Sequence, residues 1–227
     1  MTAAIGTLRE TSLHAALKAW YARPGDVLEA TIDGCVVDVL RGEAVIEIQT
    51  GHFSSIRPKL SRLLERRPVL LVYPVAAERW IVRVAADRQT LVSRRKSPRR
   101  GSAAQVFSQL VSFPELLNHP NFQLEVLFVQ DEEVRAPWPR RKRGWRRQSR
   151  LLDRRLLAVT GSILLAGPDD CARLVPPELL RPFTNRELAQ ALHQPAALAA
   201  QMTYCLSRMG ALAPVGRRGR ANLFQPA

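Results

Sequence analysis

The sequence predicts an α/β protein: a mixed sheet flanked by helices, followed by a helix-turn-helix segment that ends in a β-hairpin. Three observations carry this. Between residues 7 and 85 the apolar spacing changes in the order helix, three strands, helix, strand, strand. Between residues 184 and 224 two helical patterns are followed by two short extended runs around a Gly- and Arg-rich turn. The chain of 227 residues is 46% apolar, an ordinary value for a packed core.

Each element has a local reason. Thr7-Leu8-Arg9-Glu10 fits a capping box, and Leu13, Ala16, Leu17 and Trp20 follow at helical spacing until Pro24-Gly25-Asp26 stops the helix. Val27–Ile32, Cys35–Arg41 and Ala44–Thr50 are β-branched runs with short breaks, so they read as three strands. Ser54–Arg66 carries Ile56, Leu60, Leu63 and Leu64 on one face, with Pro58 tolerated in the first turn. Val69–Tyr73 reads as a buried strand and Trp80–Val84 as the next one. Ser93–Ser102 reads as a basic linker, Ala104–Val111 as a short helix, and Leu124–Val129 and Leu156–Ala166 as extended. Thr184-Asn185-Arg186-Glu187 is a second capping box, opening a helix over Asn185–Leu192. Pro195 fits the N1 position of a following helix that runs to Met209, with Gly210 closing it. Ala211–Val215 and Ala221–Phe224 then flank a basic hairpin tip, Gly216-Arg217-Arg218-Gly219-Arg220.

The charge is strong and local. Thirty-four Lys and Arg against 20 Asp and Glu give +14, and 30 of the basic residues are Arg. Residues 134–155 alone carry +9, whereas residues 101–133 carry −5. A polyanionic partner follows. The longest apolar stretch, Val69–Ala77, is broken by Pro74 and is far short of the about 20 residues of a membrane span. Met1–Glu10 lacks the pattern of a secretory leader, so a cytoplasmic location without membrane contact is expected. Cys35, Cys171 and Cys205 are odd in number and far apart, which argues against a disulfide framework or a cysteine-rich zinc site. No histidine has a second one at ligand spacing.

The most informative chemistry lies in Val36–Gln49. Gly42-Glu43 suits a two-residue type II′ turn, which pairs Arg41 with Ala44 and so sets Asp38 opposite Glu47. Gln49 falls on the same face, while Val37, Val39, Ile46 and Ile48 make the other face apolar. Directly opposed carboxylates, about 5 Å apart at Cβ, repel each other. A divalent cation would remove that penalty, and oxygen-only ligands suit Mg²⁺ or Mn²⁺. A solvated polar strand face is the plain alternative.

These residues resemble the PD-(D/E)XK nuclease-like superfamily over about residues 7–85. Asp38 matches the acidic residue of its second strand, and Glu47-Ile48-Gln49 matches its Glu-x-Lys tripeptide with Gln in place of Lys. Glu10 matches an acid many members carry on the first helix, although the capping box also explains it. The resemblance implies a restriction-endonuclease-like core and metal-dependent phosphodiester hydrolysis. Asp38 and Glu47 would hold Mg²⁺ or Mn²⁺ and Gln49 would position the water. Lys59 would be a lysine migrated to the following helix, where it stabilises developing charge.

Thr184–Phe224 resembles a winged helix-turn-helix domain. Such a fold sets its second helix in the major groove. Ala197, Gln201 and Arg208 are its predicted outward positions, with Leu198, Met202, Cys205, Leu206 and Met209 inward. Arg217, Arg218 and Arg220 would be the wing's phosphate contacts. Arg140, Arg141, Lys142, Arg143, Arg146 and Arg147 form the densest basic run, with Trp145 placed to stack on a base or under the arginine stems. Asp131, Glu132 and Glu133 are candidates to pair with this run.

The chain therefore divides into a nuclease-like domain (1–92), a linker and basic segment (93–155) and a winged-helix domain (156–227). The expected function is Mg²⁺-dependent cleavage of DNA, with a homodimer permitted. The alternatives are a non-catalytic, regulatory DNA-binding protein with a degenerate nuclease-like domain, and an assembly factor whose winged helix binds a protein.

Overall fold

The computed structural model describes residues 11–138 and 149–227. It is an α/β chain built on a large mixed sheet in the order β1-β2-β3-β4-β6-β7, with β5 paired to β4, plus a separate hairpin of β8 and β9. The helices are α1 (Ser12–Tyr21), α2 (Arg57–Leu64), α3 (Phe107–Leu110), α4 (Pro168–Ala172), α5 (Asn185–Ala191) and α6 (Ala196–Arg208). The strands are β1 (Val27–Ile32), β2 (Cys35–Arg41), β3 (Ala44–Ile48), β4 (Val69–Val84), β5 (Leu91–Lys96), β6 (Phe122–Pro137), β7 (Ser149–Leu165), β8 (Leu212–Arg218) and β9 (Ala221–Pro226). Among the described residues no helix is long and apolar enough to cross a membrane.

The chain forms two compact units that interleave in sequence. The first comprises residues 1–24, 74–101 and 127–161; the second comprises 25–73, 102–126 and 162–227. The boundaries at 92 and 155 drawn from composition do not appear in this division. The physical reason is that β4, β6 and β7 are long strands, each belonging to one unit at one end and to the other unit at the other end.

In the second unit, β1, β2 and β3 form an antiparallel meander, and β3 then pairs parallel with the start of β4. Asp33-Gly34 turns the first hairpin with φ of 48° and 72°, the left-handed pair an Asp-Gly turn supplies. Gly42 takes φ 57° in the second, as the predicted turn requires. Val37, Val39, Ile46 and Ile48 are buried, as their spacing indicates. Phe53 stacks on Phe113 at 5.3 Å and meets Tyr73 edge-on at 5.2 Å, which anchors the turn between β3 and α2. At the C-terminal end, α5, a turn at His193 and α6 are followed by the β8–β9 hairpin. Thr184 and Glu187 complete the predicted capping box. Leu198, Met202, Cys205, Leu206 and Met209 are all buried.

In the first unit, α1 buries Leu13 and Leu17. Val82, Val84, Val134 and Ala136 form a small core of their own, with Leu152 packed against it.

Several elements differ from the sequence reading. The first helix opens at Ser12, with Thr11 as its cap, so it starts past the capping box at Thr7; Thr7–Glu10 lie outside the described residues. Val69–Tyr73 and Trp80–Val84 are one 16-residue strand running through Pro74. Pairing with β3 ends at Val72 and pairing with β5 starts at Trp80, so Pro74 lies between the two ladders. The expected linker begins as β5, because Leu91–Lys96 pairs along β4. The predicted helix at 104–111 is a 3-10 turn, Ala103–Val106, leading into the single turn of α3. Pro195 is the N-cap of α6 rather than its first residue. The hairpin tip tightens to Gly219-Arg220, so Gly216, Arg217 and Arg218 belong to β8.

Candidate functional site

The β2–β3 hairpin has the predicted register: Arg41 faces Ala44, Leu40 faces Val45 and Val39 faces Ile46. One step further, Asp38 and Glu47 meet. There the side chains take over from the ladder. The Ile48 N–H donates to Asp38 Oδ2 at 2.8 Å, and the Asp38 N–H donates to Glu47 Oε1 at 3.3 Å. Lys59, on α2, reaches across to Glu47 with its Nζ 2.5 Å from Oε1. The strands supply the two acids and the helix that follows supplies the cation.

Glu47 is only 3% exposed, which sets aside the reading of a solvated strand face. Burial pushes its carboxyl up to about 7. The Lys59 ammonium pulls the other way, and the Asp38 carboxylate adds to the rise. The group thus changes charge near neutral pH, where a small change in surroundings decides its state.

Gln49 lies just past β3, where its N–H donates to Val72 O at 2.9 Å. Its side-chain amide nitrogen donates to the His52 carbonyl at 2.8 Å and to Ser55 Oγ at 3.1 Å. It therefore holds the turn leading into α2, and its oxygen is what remains for other work. Neither His52 nor Ser55 carries a sequence signal for this role, since the contacts form only once the turn closes. Glu10 lies outside the described residues. Among the described residues no group of three His, Cys, Asp or Glu side chains is arranged to hold a metal ion.

The other predicted contacts are dispersed. On α6, Ala197 is exposed and Gln201 half-buried. The Arg208 guanidinium is engaged by Glu115, with Nε at 3.2 Å from the carboxylate. Arg217 and Arg220 are exposed, while Arg218 pairs with Glu187 at 2.6 Å. Glu115 was not singled out from sequence; its pairing is 93 residues away along the chain. Arg140, Arg141, Lys142, Arg143, Trp145, Arg146 and Arg147 lie outside the described residues. The acids expected to pair with that run have other partners. Asp131 accepts from Arg79 and Arg154, Glu132 from Arg94, and Glu133 from Arg79 and Arg135.

Comparison with known proteins adds a family. No solved structure matches the chain. An uncharacterised protein of Treponema pallidum (strain Nichols) is 30% identical over 225 residues, covering 97% of this chain and 87% of that protein. The family model described as "Domain of unknown function (DUF8091)" matches residues 11–166, which take in β1 through β7 with α1, α2 and the Asp38–Glu47–Lys59 cluster. The chain belongs to the DUF8091 domain family.

Proposed function

We propose that this protein is a Mg²⁺- or Mn²⁺-dependent phosphodiesterase acting on DNA, with a restriction-endonuclease-like core around β1–β4 and a winged helix formed by α5, α6 and the β8–β9 hairpin. The observation that supports this most is the Lys59 ammonium on the buried Glu47 carboxyl, next to Asp38. Two acids from adjacent strands and a lysine from the following helix are the set such hydrolysis uses.

Asp38 and Glu47 would hold the metal. The donor set fits: two carboxylates on neighbouring strands suit Mg²⁺, which binds through one or two protein carboxylates and fills its other positions with water and phosphate oxygens. When bound, the ion supplies an acidified water and neutralises charge on the phosphate. The chain's own part is positional. The Ile48 N–H fixes one oxygen of Asp38. Lys59 orients Glu47 and presents a positive charge to a scissile phosphate as charge develops there. Gln49 keeps the β3–α2 turn, and through it Lys59, in place.

Gln49 also favours the second reading. With its amide nitrogen committed to His52 and Ser55, the position where the superfamily carries Lys is structural here. A non-catalytic nucleic-acid-binding protein would tolerate that. The test is nicking of supercoiled plasmid with Mg²⁺ and Mn²⁺, alongside metal calorimetry. Asp38→Ala and Glu47→Ala should each abolish nicking and leave DNA binding intact. A wild-type protein that binds DNA, takes up no metal and cuts under neither ion would leave only the non-catalytic reading standing.

A further inference from the structure

The two compact units divide the charge unequally. Among its described residues, the unit of residues 1–24, 74–101 and 127–161 carries 14 basic and 6 acidic side chains; the other unit carries 13 of each. The excess among the described residues therefore belongs to one unit, and the unit that holds Asp38, Glu47, Lys59 and the helix-turn-helix segment is neutral.

Among the described residues of the basic unit, the acids are already engaged. Glu78 pairs with Lys96 and Arg100, Asp131 with Arg79 and Arg154, and Glu132 with Arg94. Glu133 pairs with Arg79 and Arg135, and Asp153 pairs with Arg155 and accepts from Ser12. Asp87 closes its own turn onto Gln89 and Thr90. Arg83 and Arg95 have none of these carboxylates as a partner, and both are exposed.

Their placement on the β4–β5 pair is fixed by register. Arg83 faces Ser93 and Ile81 faces Arg95, so the two arginines are diagonal neighbours on one face. Such neighbours sit about 7–8 Å apart. On the other face Trp80 lies opposite Lys96 and under both Lys96 and Arg94, at 5.1 and 5.2 Å, and those cations are ion-paired. One face is thus internally neutralised; on the other, Arg79 is held by Asp131 and Glu133, whereas Arg83 and Arg95 are two like charges outside any of these ion pairs. All six residues of β5 are exposed along this edge. Neighbouring like charges without a counter-charge raise the energy of the bare protein and are relieved by an external row of anions.

We propose that the Arg83/Arg95 face of the β4–β5 ribbon contacts nucleic-acid phosphates without reading sequence. This shares the nucleic-acid partner with the preceding reading and needs neither the metal nor cleavage. It also moves the main electrostatic contact away from the helix-turn-helix, where Arg208 and Arg218 are each held by a carboxylate.

The experiment uses the full chain in EDTA and a fluorescein-labelled duplex of about 20 base pairs, titrated by anisotropy over a NaCl series. Arg83→Ala/Arg95→Ala should weaken binding about tenfold at low salt. It should lower the slope of log K against log[salt] by about 1.8, the value for two lost phosphate contacts at about 0.9 each. Arg83→Lys/Arg95→Lys should keep most of both. Arg181→Ala/Arg186→Ala, exposed arginines of the neutral unit, is the matched control and should change the slope less. The proposal is overturned if the wild-type protein does not bind the duplex, or if the Arg83/Arg95 double variant binds within twofold of it with an unchanged slope. Nicking assays on the same variants in Mg²⁺ separate the two readings. Duplex binding that depends on Arg83 and Arg95 with no nicking anywhere removes hydrolysis only. Nicking that survives in a variant with unaltered binding removes this surface only.

Discussion

Glu47 is the residue on which pH should act most directly. Its folded-state value of about 7 lies above the ordinary 4.5, so between those limits the folded chain holds a proton the unfolded chain has released. Stability therefore falls as pH rises through that window, by about 3 kcal/mol at most, at about 1.4 kcal/mol per unit. Glu47→Gln cannot titrate, and its urea-unfolding free energy should stay flatter than wild type between pH 4.5 and 7; parallel curves would rule out a protonated Glu47. Asp131 acts on stability through its ion pairs. It is fully buried between Arg79, with both contacts at 2.8 Å, and Arg154 at 2.7 Å. Asp131→Ala leaves the partly buried Arg154 guanidinium without a carboxylate and Arg79 with Glu133 alone, and should cost about 3 kcal/mol, read as a shift in the urea midpoint. At this scale the sequence was informative in one place and silent in the other. The acids at 38 and 47 declare themselves because a two-residue turn between β-branched runs has few registers. The partners of Asp131 come from β4 and β7, and no local pattern joins residues 79, 131 and 154.

Elements were legible wherever a local rule decides them. Thr184-x-x-Glu187 caps α5 in the structure as in the sequence, and Thr184→Ala should lose about 1 kcal/mol by thermal melt. Alternation placed β1, β2 and β3 within a residue or two of their observed ends. It failed on β4 because Pro74 is a breaker only where an amide is needed, and the β3 and β5 ladders along β4 leave a gap at that point. The residues after β5 fill the gap: the Gly101 N–H donates to Ala76 O at 2.9 Å. A Cβ on Gly101 would meet the Val75 side chain and sit 2.7 Å from the Ala76 carbonyl oxygen. Gly101→Ala should therefore destabilise by about 2 kcal/mol, mainly through backbone displacement, with a lowered urea midpoint as the readout. The sequence marks Gly101 only as part of a linker, since the close approach comes from a strand 25 residues earlier.

For the whole molecule, charge is the property on which conditions act most strongly. With the excess among the described residues confined to one unit, self-repulsion is concentrated rather than spread. Raising salt from about 10 mM to about 150 mM shortens the screening length from about 30 Å to about 8 Å, so the melting temperature should rise over that range. Duplex DNA added at low salt should give a rise of its own, and one that vanishes at high salt. A melting temperature that falls on adding either would contradict the concentration of charge. The interleaving of the two units has a different kind of consequence. The chain passes between them at residues 24, 73, 101, 126 and 161, three times inside an unbroken strand. No single recombination event can part the charged unit from the neutral one. A gene encoding this chain transmits both or neither, and any lineage that lost one would first have to rebuild the strands they share.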